Sequence, residues 1–303
     1  MKLQYHPGKN FGDQLNPLIF HHYLPGYFQN ENGYVLMGIG SILGFHDKYP
    51  GKKVVFSSGY DAGLPSTYGV LPEDKSSFDF ICVRGPKTAA LLGLSSDLAI
   101  TDGAILLKDI VIKNNEKKYK VSLMPHVGSE EFYDHQALCD ELGWQYISPR
   151  WEVERVLEMI QQSECLVTEA MHGAIVADTL RVPWMAFQGF KTIGHFKWED
   201  WCLSMGMKYQ PFYLSPYFSD SKTEQLIRLK LSKLSMPFLT PLIKSFAISQ
   251  MKKRWENNLR FLKEKVNSGA FQLSDQRILE VRHLQLMNKI EFFKEKYPVE
   301  KFG

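Results

Sequence analysis

Over its first 210 residues the chain alternates short apolar runs with amphipathic segments. The runs are too short and too continuously apolar for a half-exposed antiparallel sheet, and they are typical of buried parallel strands. They predict strands at 34–37, 53–57, 78–83, 98–101, 119–124, 145–147, 165–168 and 183–187. The segments between them predict helices at 12–23, 86–92, 130–142, 152–162, 172–179 and 195–205. This alternation predicts an α/β protein whose parallel sheets are covered by helices.

A polar, turn-prone stretch at 113–118 separates two such strand–helix series. We therefore predict two Rossmann-like domains, 1–113 and 119–210, that face a cleft. Small ligands usually bind in such a cleft, at the carboxyl ends of the strands.

From residue 220 the pattern becomes helical, which predicts a helical extension over 220–303. Thr240 followed by Pro241 is typical of a helix start, and Ser268 followed by Gly269 of its end. Ser274 is predicted to start a further helix.

Charge is distributed unevenly along the chain. Residues 221–303 carry 17 Lys and Arg against 8 Asp and Glu, whereas residues 1–220 carry 19 against 25. A basic segment of this kind can bind nucleic acid or anionic lipid, or it can be a solvated helix face. The segment 236–265 is the candidate for contact with an anionic membrane, and packing of its apolar face on the two domains is the alternative.

Composition excludes several classes of protein. The four cysteines are far apart and form no metal-type pair, and neither an HExxH nor a DxD motif occurs, so we expect reduced thiols and no metal site. The first residues lack the apolar core of a secretory signal, and no run reaches the roughly 18 apolar residues of a membrane-spanning helix. We expect a cytoplasmic protein.

Three segments of the first half could carry chemistry. Asn10, Gly12 and Asp13 enter a predicted helix, where they could cap it or help its N-terminus to bind an anion. Gly40 belongs to a glycine pair after a strand, which allows backbone to approach a ligand or simply allows a turn. Arg84 ends a strand, so its guanidinium is predicted at the rim of the sheet, in a salt bridge or on a carboxylate or phosphate.

The second half adds three more candidates. His126 follows a strand, where it would face the cleft or cap a turn. His172 stands at a helix start with Glu169 three residues earlier, and the positive helix end favours a neutral imidazole that can act as a base. His195 and Lys197 belong to an amphipathic helix whose tryptophans could equally be core.

Read in order, seven segments resemble the polysaccharide pyruvyl transferase family. They are NFGDQLNPLI at 10–19, GIGSIL at 38–43, VRGPKTAALLG at 83–93, ITDGAILL at 100–107, MPH at 124–126, SECLVTEAMHGAIVADTLRVP at 163–183 and HFKWEDWC at 195–202. The chain departs from the family pattern at Ala170, where an arginine is usual, and at Gly85, where an aspartate is usual.

The resemblance implies a GT-B-like architecture and a reaction. Members transfer the carboxyvinyl unit of phosphoenolpyruvate to two hydroxyls of one sugar, which forms a cyclic ketal and releases phosphate without a further cofactor. His172 is then the expected acid–base group, with Glu169 as its orienter or second proton carrier and with Asp13 or Asp102 stabilising positive charge at C2 of the donor. The residues expected to contact substrates are Arg84, Lys197, Asn10, Gly12, Gly40, Asp102, His126 and His195.

The resemblance also implies the partners. Acceptors in this family are sugars of cell-surface glycans, often attached to a membrane lipid, which would place the protein at the inner face of the plasma membrane. Two other functions stay open: a GT-B glycosyltransferase that uses a nucleotide sugar, and a non-catalytic adaptor that binds anions or lipid. No nucleic-acid-binding motif occurs, so we expect no nucleic acid partner.

Overall fold

Two parallel β-sheets organise the protein. The computed structural model describes residues 1–112, 114, 116–130, 132–189, 194–218, 220–233 and 239–302. Residues 113 and 115 of the predicted domain boundary, 131 of a predicted helix and 236–238 of the predicted membrane segment lie outside the described residues. The predicted limits of the domains stay a prediction.

The first sheet contains four strands in the order β1-β2-β3-β4, and every neighbouring pair is parallel. Its strands are β1 (Lys2–Gln4), β2 (Tyr34–Met37), β3 (Lys52–Ser58) and β4 (Phe78–Val83). The helices of this half are α1 (Phe11–Tyr23), α2 (Pro65–Tyr68), α3 (Pro86–Leu92) and α4 (Leu107–Ile110).

The second sheet contains five strands in the order β6-β5-β7-β8-β9, again with every pair parallel. Its strands are β5 (Tyr119–Met124), β6 (Gln145–Tyr146), β7 (Ser163–Thr168), β8 (Trp184–Gln188) and β9 (Phe212–Tyr213). The helices of this half are α5 (His135–Leu142), α6 (Val153–Gln161), α7 (Met171–Thr179) and α8 (His195–Ser204). The predicted α/β class with parallel sheets is confirmed.

The structure differs from the sequence prediction at one strand, at the start of one helix and at two very short strands. No strand is formed at 98–101, because residue 98 ends a 3-10 helix, Ser96–Leu98, whose start is capped by the Ser95 side chain. A single bridge, from Ala99 to Val83, is formed there. Helix α5 begins at His135 rather than at 130, because the Asp134 carboxylate accepts a hydrogen bond from the Ala137 amide and starts the helix there. Strands β1 and β9 were not predicted, because two or three residues are too few to show a period.

One continuous apolar core joins the two sheets. It includes Phe56 of the first sheet, Leu166 of the second and Trp198 of α8, all of them fully buried. The two halves therefore share one core.

The last helices pack on both halves. They are α9 (Asp220–Lys233), α10 (Thr240–Asn267) and α11 (Gln276–Lys296), so the predicted start at Thr240 and the predicted end before Ser268 are confirmed. Helix α10 lies against the second half, where the Trp255 indole donates to Glu141 at 2.7 Å. Helix α11 returns to the first sheet, where Lys296 pairs with Asp79 at 2.6 Å.

Contact of the basic extension with a membrane stays a prediction. Within the part of the chain that the structure describes, no helix combines the length and the apolar character needed to cross a bilayer.

Candidate active site

A cavity of about 420 Å³ opens where strands of both sheets end. Three helices of eight or more residues, α1, α7 and α8, begin at its wall. Seven of the predicted site residues line it: Asn10, Gly12, Asp13, Gly40, His126, His172 and Lys197. Because a helix N-terminus carries partial positive charge and unpaired N–H groups, the wall favours anionic ligands.

The start of α1 is held rigidly at this wall. The Phe11 amide donates to the Pro149 carbonyl at 2.7 Å, which ties α1 to the second half. The Asn16 amide group bonds both the carbonyl and the amide of Ile39, which fixes the loop that carries Gly40. Gly40 has φ +123°, a conformation that a residue with a side chain rarely adopts.

Asp13 is a half-buried carboxylate beside the cavity. The Asn10 side chain donates to Asp13 Oδ2 at 2.7 Å. Burial raises the pKa of the Asp13 carboxyl, although the Asn10 hydrogen bond and the nearby His172 and Lys197 act in the opposite direction. Raised carboxyl pKa values are common among groups that exchange protons or stabilise developing charge.

His172 lies in the first turn of α7 and faces a carboxylate from the other half. Its Nε2 atom is 3.5 Å from Oδ2 of Asp102, and the Asp102 side chain is fully buried. Burial alone would raise the pKa of the Asp102 carboxyl, but the charges of His172 and Arg84 outweigh burial and lower it. Asp102 is therefore ionised beside the imidazole and is placed to fix its orientation.

The opposite side of the imidazole packs on the backbone of α1. A Cβ atom added to Gly12 would lie 2.1 Å from His172 Nδ1, closer than any side chain could be accommodated. Gly12 is thus the residue that lets α1 and α7 meet at this point.

Glu169 occupies a different position from the predicted one. Its carboxylate accepts hydrogen bonds from the amide of Gly189 at 2.7 Å, from the amide of His126 at 3.2 Å and from the Ser129 hydroxyl. These contacts orient the loop after β5 rather than His172. Among the described residues, the carboxylate at ion-pair distance from His172 is that of Asp102, so the expectation of Glu169 as the orienter is corrected. Glu169 as the second proton carrier stays a prediction.

Lys197 and His126 supply two further polar groups to the cavity. Lys197 lies in the first turn of α8, is largely buried, and donates to the Tyr68 hydroxyl at 2.9 Å. Burial, and secondarily the charge of Lys197, lowers the pKa of His126 to about 3, so this imidazole is neutral at neutral pH. His126 Nδ1 accepts a hydrogen bond from the Gly128 amide, which leaves the proton on Nε2.

Arg84 directly follows β4, as predicted, and it forms the salt bridge that was one of its two predicted roles, but inside the molecule rather than at the surface. Its side chain is fully buried. It donates to Asp200 at 3.3 Å, to the Ser41 hydroxyl at 2.9 Å and to the Tyr60 carbonyl at 2.7 Å. Asp200 belongs to α8, so the guanidinium joins the two halves of the molecule and has its donors occupied by protein atoms.

His195 also lies outside the cavity wall. Its Nε2 atom is 2.7 Å from the side-chain oxygen of Gln188, and its ring contacts Tyr209 edge-on. The tryptophans of the same helix, Trp198 and Trp201, are fully buried, which confirms the alternative that they are core.

Sequence reasoning missed several residues of the site. His6, Ser41, Lys48, Thr67 and Tyr68 line the cavity from short loops, a 3-10 turn and a four-residue helix, where no periodic pattern singles them out. Asp61, a fully buried residue that does not line the cavity, was also missed; burial raises the pKa of its carboxyl, although the nearby Lys197 acts in the opposite direction. Its position shortly after β3, at the carboxyl end of a strand, was the signal that could have found it.

The arrangement combines anion binding with proton transfer. Lys197 and the starts of α1 and α7 offer positive charge, and His172 with Asp102 behind it offers a group that can take up and release a proton. Among the described residues, no cluster of three or more His, Cys, Asp or Glu side chains is placed to hold a metal ion.

Comparison with known proteins supports the same region. The family model of polysaccharide pyruvyl transferase matches residues 33–188, about half of the chain, which include Arg84, Asp102, His126 and His172. The succinoglycan biosynthesis protein ExoV of Rhizobium meliloti (strain 1021) is 39% identical over 207 residues. That alignment covers 67% of this chain and 63% of the relative, so the chain spans less than two thirds of the length of the relative it matches.

Proposed function

Since the chain belongs to the polysaccharide pyruvyl transferase family, we propose that it transfers the carboxyvinyl unit of phosphoenolpyruvate to two hydroxyls of one sugar. The product is a cyclic pyruvate ketal, and inorganic phosphate leaves. The observation that carries the proposal is the convergence of Lys197, His172 and the starts of three helices on one cavity.

Phosphoenolpyruvate carries a phosphate and a carboxylate, and both need positive partners. The Lys197 ammonium, held by the Tyr68 hydroxyl, suits one of them. The N-termini of α1 and α7 suit the other, since their first N–H groups have no partner within their own helix. Arg84 contributes to this site through Ser41 rather than by direct contact with the donor.

His172 moves the protons. The ionised Asp102, 3.5 Å from Nε2, favours the proton on that nitrogen, which leaves the lone pair on Nδ1, the atom that faces Gly12 at the cavity wall. Addition of the first sugar hydroxyl to C2 transfers its proton, by way of His172, to the methylene carbon, which becomes the methyl group of the ketal. The second hydroxyl then displaces phosphate at C2 and gives its proton to His172, which returns it to the departing phosphate.

Asp13 is the carboxylate that would stabilise positive charge at C2. It lies on the cavity wall, whereas Asp102 is fully buried behind His172. Burial raises the energy of the charged Asp13, so a developing positive charge nearby would be met by a strong electrostatic interaction.

The proposed acceptor rests on the similarity to ExoV, a succinoglycan biosynthesis protein. We propose a sugar of a bacterial exopolysaccharide or of its lipid-linked precursor. We also propose that the two sheets with the returning helix α11 correspond to a GT-B-like architecture. The two parallel sheets, the cavity at their strand ends and the contact of Lys296 with the first sheet support this arrangement.

The test measures phosphate release from phosphoenolpyruvate with a panel of galactosides, glucosides and mannosides. The variant His172→Ala should lose at least about 100-fold in turnover, the low end for removal of a general acid–base. His22→Ala, an exposed histidine on α1, is the matched control and should keep full turnover.

Two outcomes would contradict the proposal. Near-normal turnover of His172→Ala would exclude its role in proton transfer. The second outcome combines two results: no acceptor of the panel causes phosphate release, and a nucleotide sugar but not phosphoenolpyruvate raises the melting temperature. It would favour the nucleotide-sugar glycosyltransferase.

A further inference from the structure

A second groove of about 440 Å³ lies beside the candidate active site. One wall is the loop before α1 together with the outer side of that helix, and the other is the segment 150–154 that leads into α6. Asn10 lines both the groove and the active-site cavity, so the two spaces adjoin. A ligand that reaches from one to the other passes Asn10.

The groove is a preorganised surface. The Arg150 guanidinium donates to Glu130 at 2.9 Å and to the carbonyl of Val127 at 3.1 Å, next to His126 of the active site. The Gln14 side chain donates to the Gly8 carbonyl at 3.0 Å, which fixes the opposite wall. The hydrogen bond from Phe11 to Pro149 joins the two walls.

Trp151 gives the groove a rigid aromatic surface. The Arg155 guanidinium lies over its ring, 3.7 Å from the centroid, and the Tyr146 ring makes a T-shaped contact with it at a centroid distance of 5.8 Å. A tryptophan fixed in this way offers a large apolar contact at a low entropic cost.

The chemistry of the lining selects the class of ligand. Arg150 is already paired with Glu130, and Lys9 shares the groove with Glu152 and Glu154, so the groove has no excess of positive charge that would attract a nucleic acid or an anionic lipid. An aromatic ring flanked by charged and amide side chains matches a neutral sugar, which presents an apolar C–H face and a rim of hydroxyls.

We propose that this groove binds the part of the acceptor glycan that extends beyond the sugar receiving the ketal. The inference rests on the proposed function, because it places the acceptor end in the adjoining cavity. The part of Trp151 that lines the groove packs against one sugar ring, and Glu154 bonds its hydroxyls. The protein then recognises an oligosaccharide rather than a single sugar.

The experiment measures binding directly, without phosphoenolpyruvate. The full chain is titrated by calorimetry with short and long fragments of succinoglycan released by acid hydrolysis, and in parallel with cellobiose and cellohexaose. In at least one of these series the longer glycan should bind about 10-fold more tightly than the shorter one. In Trp151→Leu the longer glycan should bind no more tightly than the shorter one.

A second variant and a control distinguish a specific loss of glycan binding from a loss of folding. Glu154→Ala removes an exposed side chain of the same wall and should reduce the preference for the longer glycan. Trp144→Leu removes another half-buried tryptophan of the same half, outside the groove, and should keep the preference.

The outcomes separate this inference from the proposed function. The proposal that the groove binds the glycan would be overturned by any of three results, whatever the phosphate assay shows. They are equal affinity for short and long glycans, no binding of any of them, and equal effects of Trp151→Leu and Trp144→Leu. Length-dependent binding that Trp151→Leu abolishes would support the groove even if phosphoenolpyruvate proved not to be the donor.

Discussion

At the residue scale, His172 depends on two neighbours that are distant in the sequence. Asp102 lies 3.5 Å from one ring nitrogen, and the backbone at Gly12 packs against the other. The sequence placed His172 at a helix start, because a tight loop between a buried strand and a small-residue helix is a local pattern. It favoured Glu169 as the partner because Glu169 is near in the chain, and nothing local marks Asp102 as nearer in space.

The close approach at Gly12 yields a test. In Gly12→Ala the added methyl group would lie 2.1 Å from His172 Nδ1, so the imidazole has to move. A misplacement of about 1 Å in a catalytic group can cost on the order of 100-fold, and we expect turnover to fall by about that factor. The free energy of unfolding should also fall, because α1 and α7 can no longer pack as closely, although alanine is the better helix former and offsets part of the loss. Phosphate release and a thermal melt measure the two effects.

Gly63→Ala is the control for that substitution. A Cβ atom at Gly63 meets its nearest neighbour at 3.4 Å, an ordinary contact, so turnover should be retained. Full turnover in Gly12→Ala would mean that His172 does not act from the position seen here.

At the element scale, the decisive feature is that α1, α7 and α8 begin at one cavity. Their starts were predicted to within one residue, because apolar periodicity and turn residues are local signals. The start of α5 was predicted too early, since the carboxylate of Asp134 rather than the periodic pattern sets it. The meeting of three starts follows from the order of the strands, which no single segment contains.

Helix α5 begins with a buried histidine that should make the protein sensitive to acid. Burial lowers the pKa of His135 from its usual 6.5 to about 3, and the Tyr217 hydroxyl lies 2.7 Å from its Nδ1 atom. Below pH 6.5 the His135 side chain binds a proton in the unfolded chain but stays neutral in the folded chain. The free energy of unfolding therefore falls as the pH drops towards 3. At about pH 5, His135 alone lowers the free energy of unfolding by about 2 kcal/mol relative to neutral pH.

The variant His135→Gln should lose less stability than the parent between about pH 7.5 and pH 5, by roughly that amount. Urea unfolding at the two pH values measures the difference. His22→Gln changes an exposed histidine and should leave the parent's pH dependence nearly intact. An identical pH dependence in parent and His135→Gln would contradict the burial argument.

At the scale of the whole molecule, buried contacts hold the two halves together. The Asp200 carboxylate accepts from Arg84 and also from the amides of Lys87 and Thr88, so it caps α3 across the boundary between the halves. A Cβ atom at Gly85 would meet the Asp200 carbonyl at 2.3 Å. The glycine that stands where the family usually has aspartate is therefore required by the packing of α8.

Arg84 provides the test of this joint. Breaking a buried ion pair leaves an uncompensated charge, so Arg84→Met should lower the free energy of unfolding by about 3–5 kcal/mol. Arg277→Met removes an exposed arginine at the start of α11 and should be nearly neutral. Chemical unfolding of the three proteins measures the difference. Unchanged stability together with weakened binding of phosphoenolpyruvate would instead favour direct contact of Arg84 with the donor.

The sequence by itself determined the class of the fold, most of its strands and helices, and the residues that could carry charge to a ligand. These properties depend on neighbouring residues: a run of apolar side chains, a capping residue, a histidine at a helix start. Only the tertiary structure decided that Arg84 joins the two halves through buried hydrogen bonds and that Asp102 rather than Glu169 faces His172. It also decided that the segment 150–154 forms one wall of a groove beside the active site. Each of these depends on contacts between residues far apart in the chain, and such contacts leave no period or spacing in a single sequence.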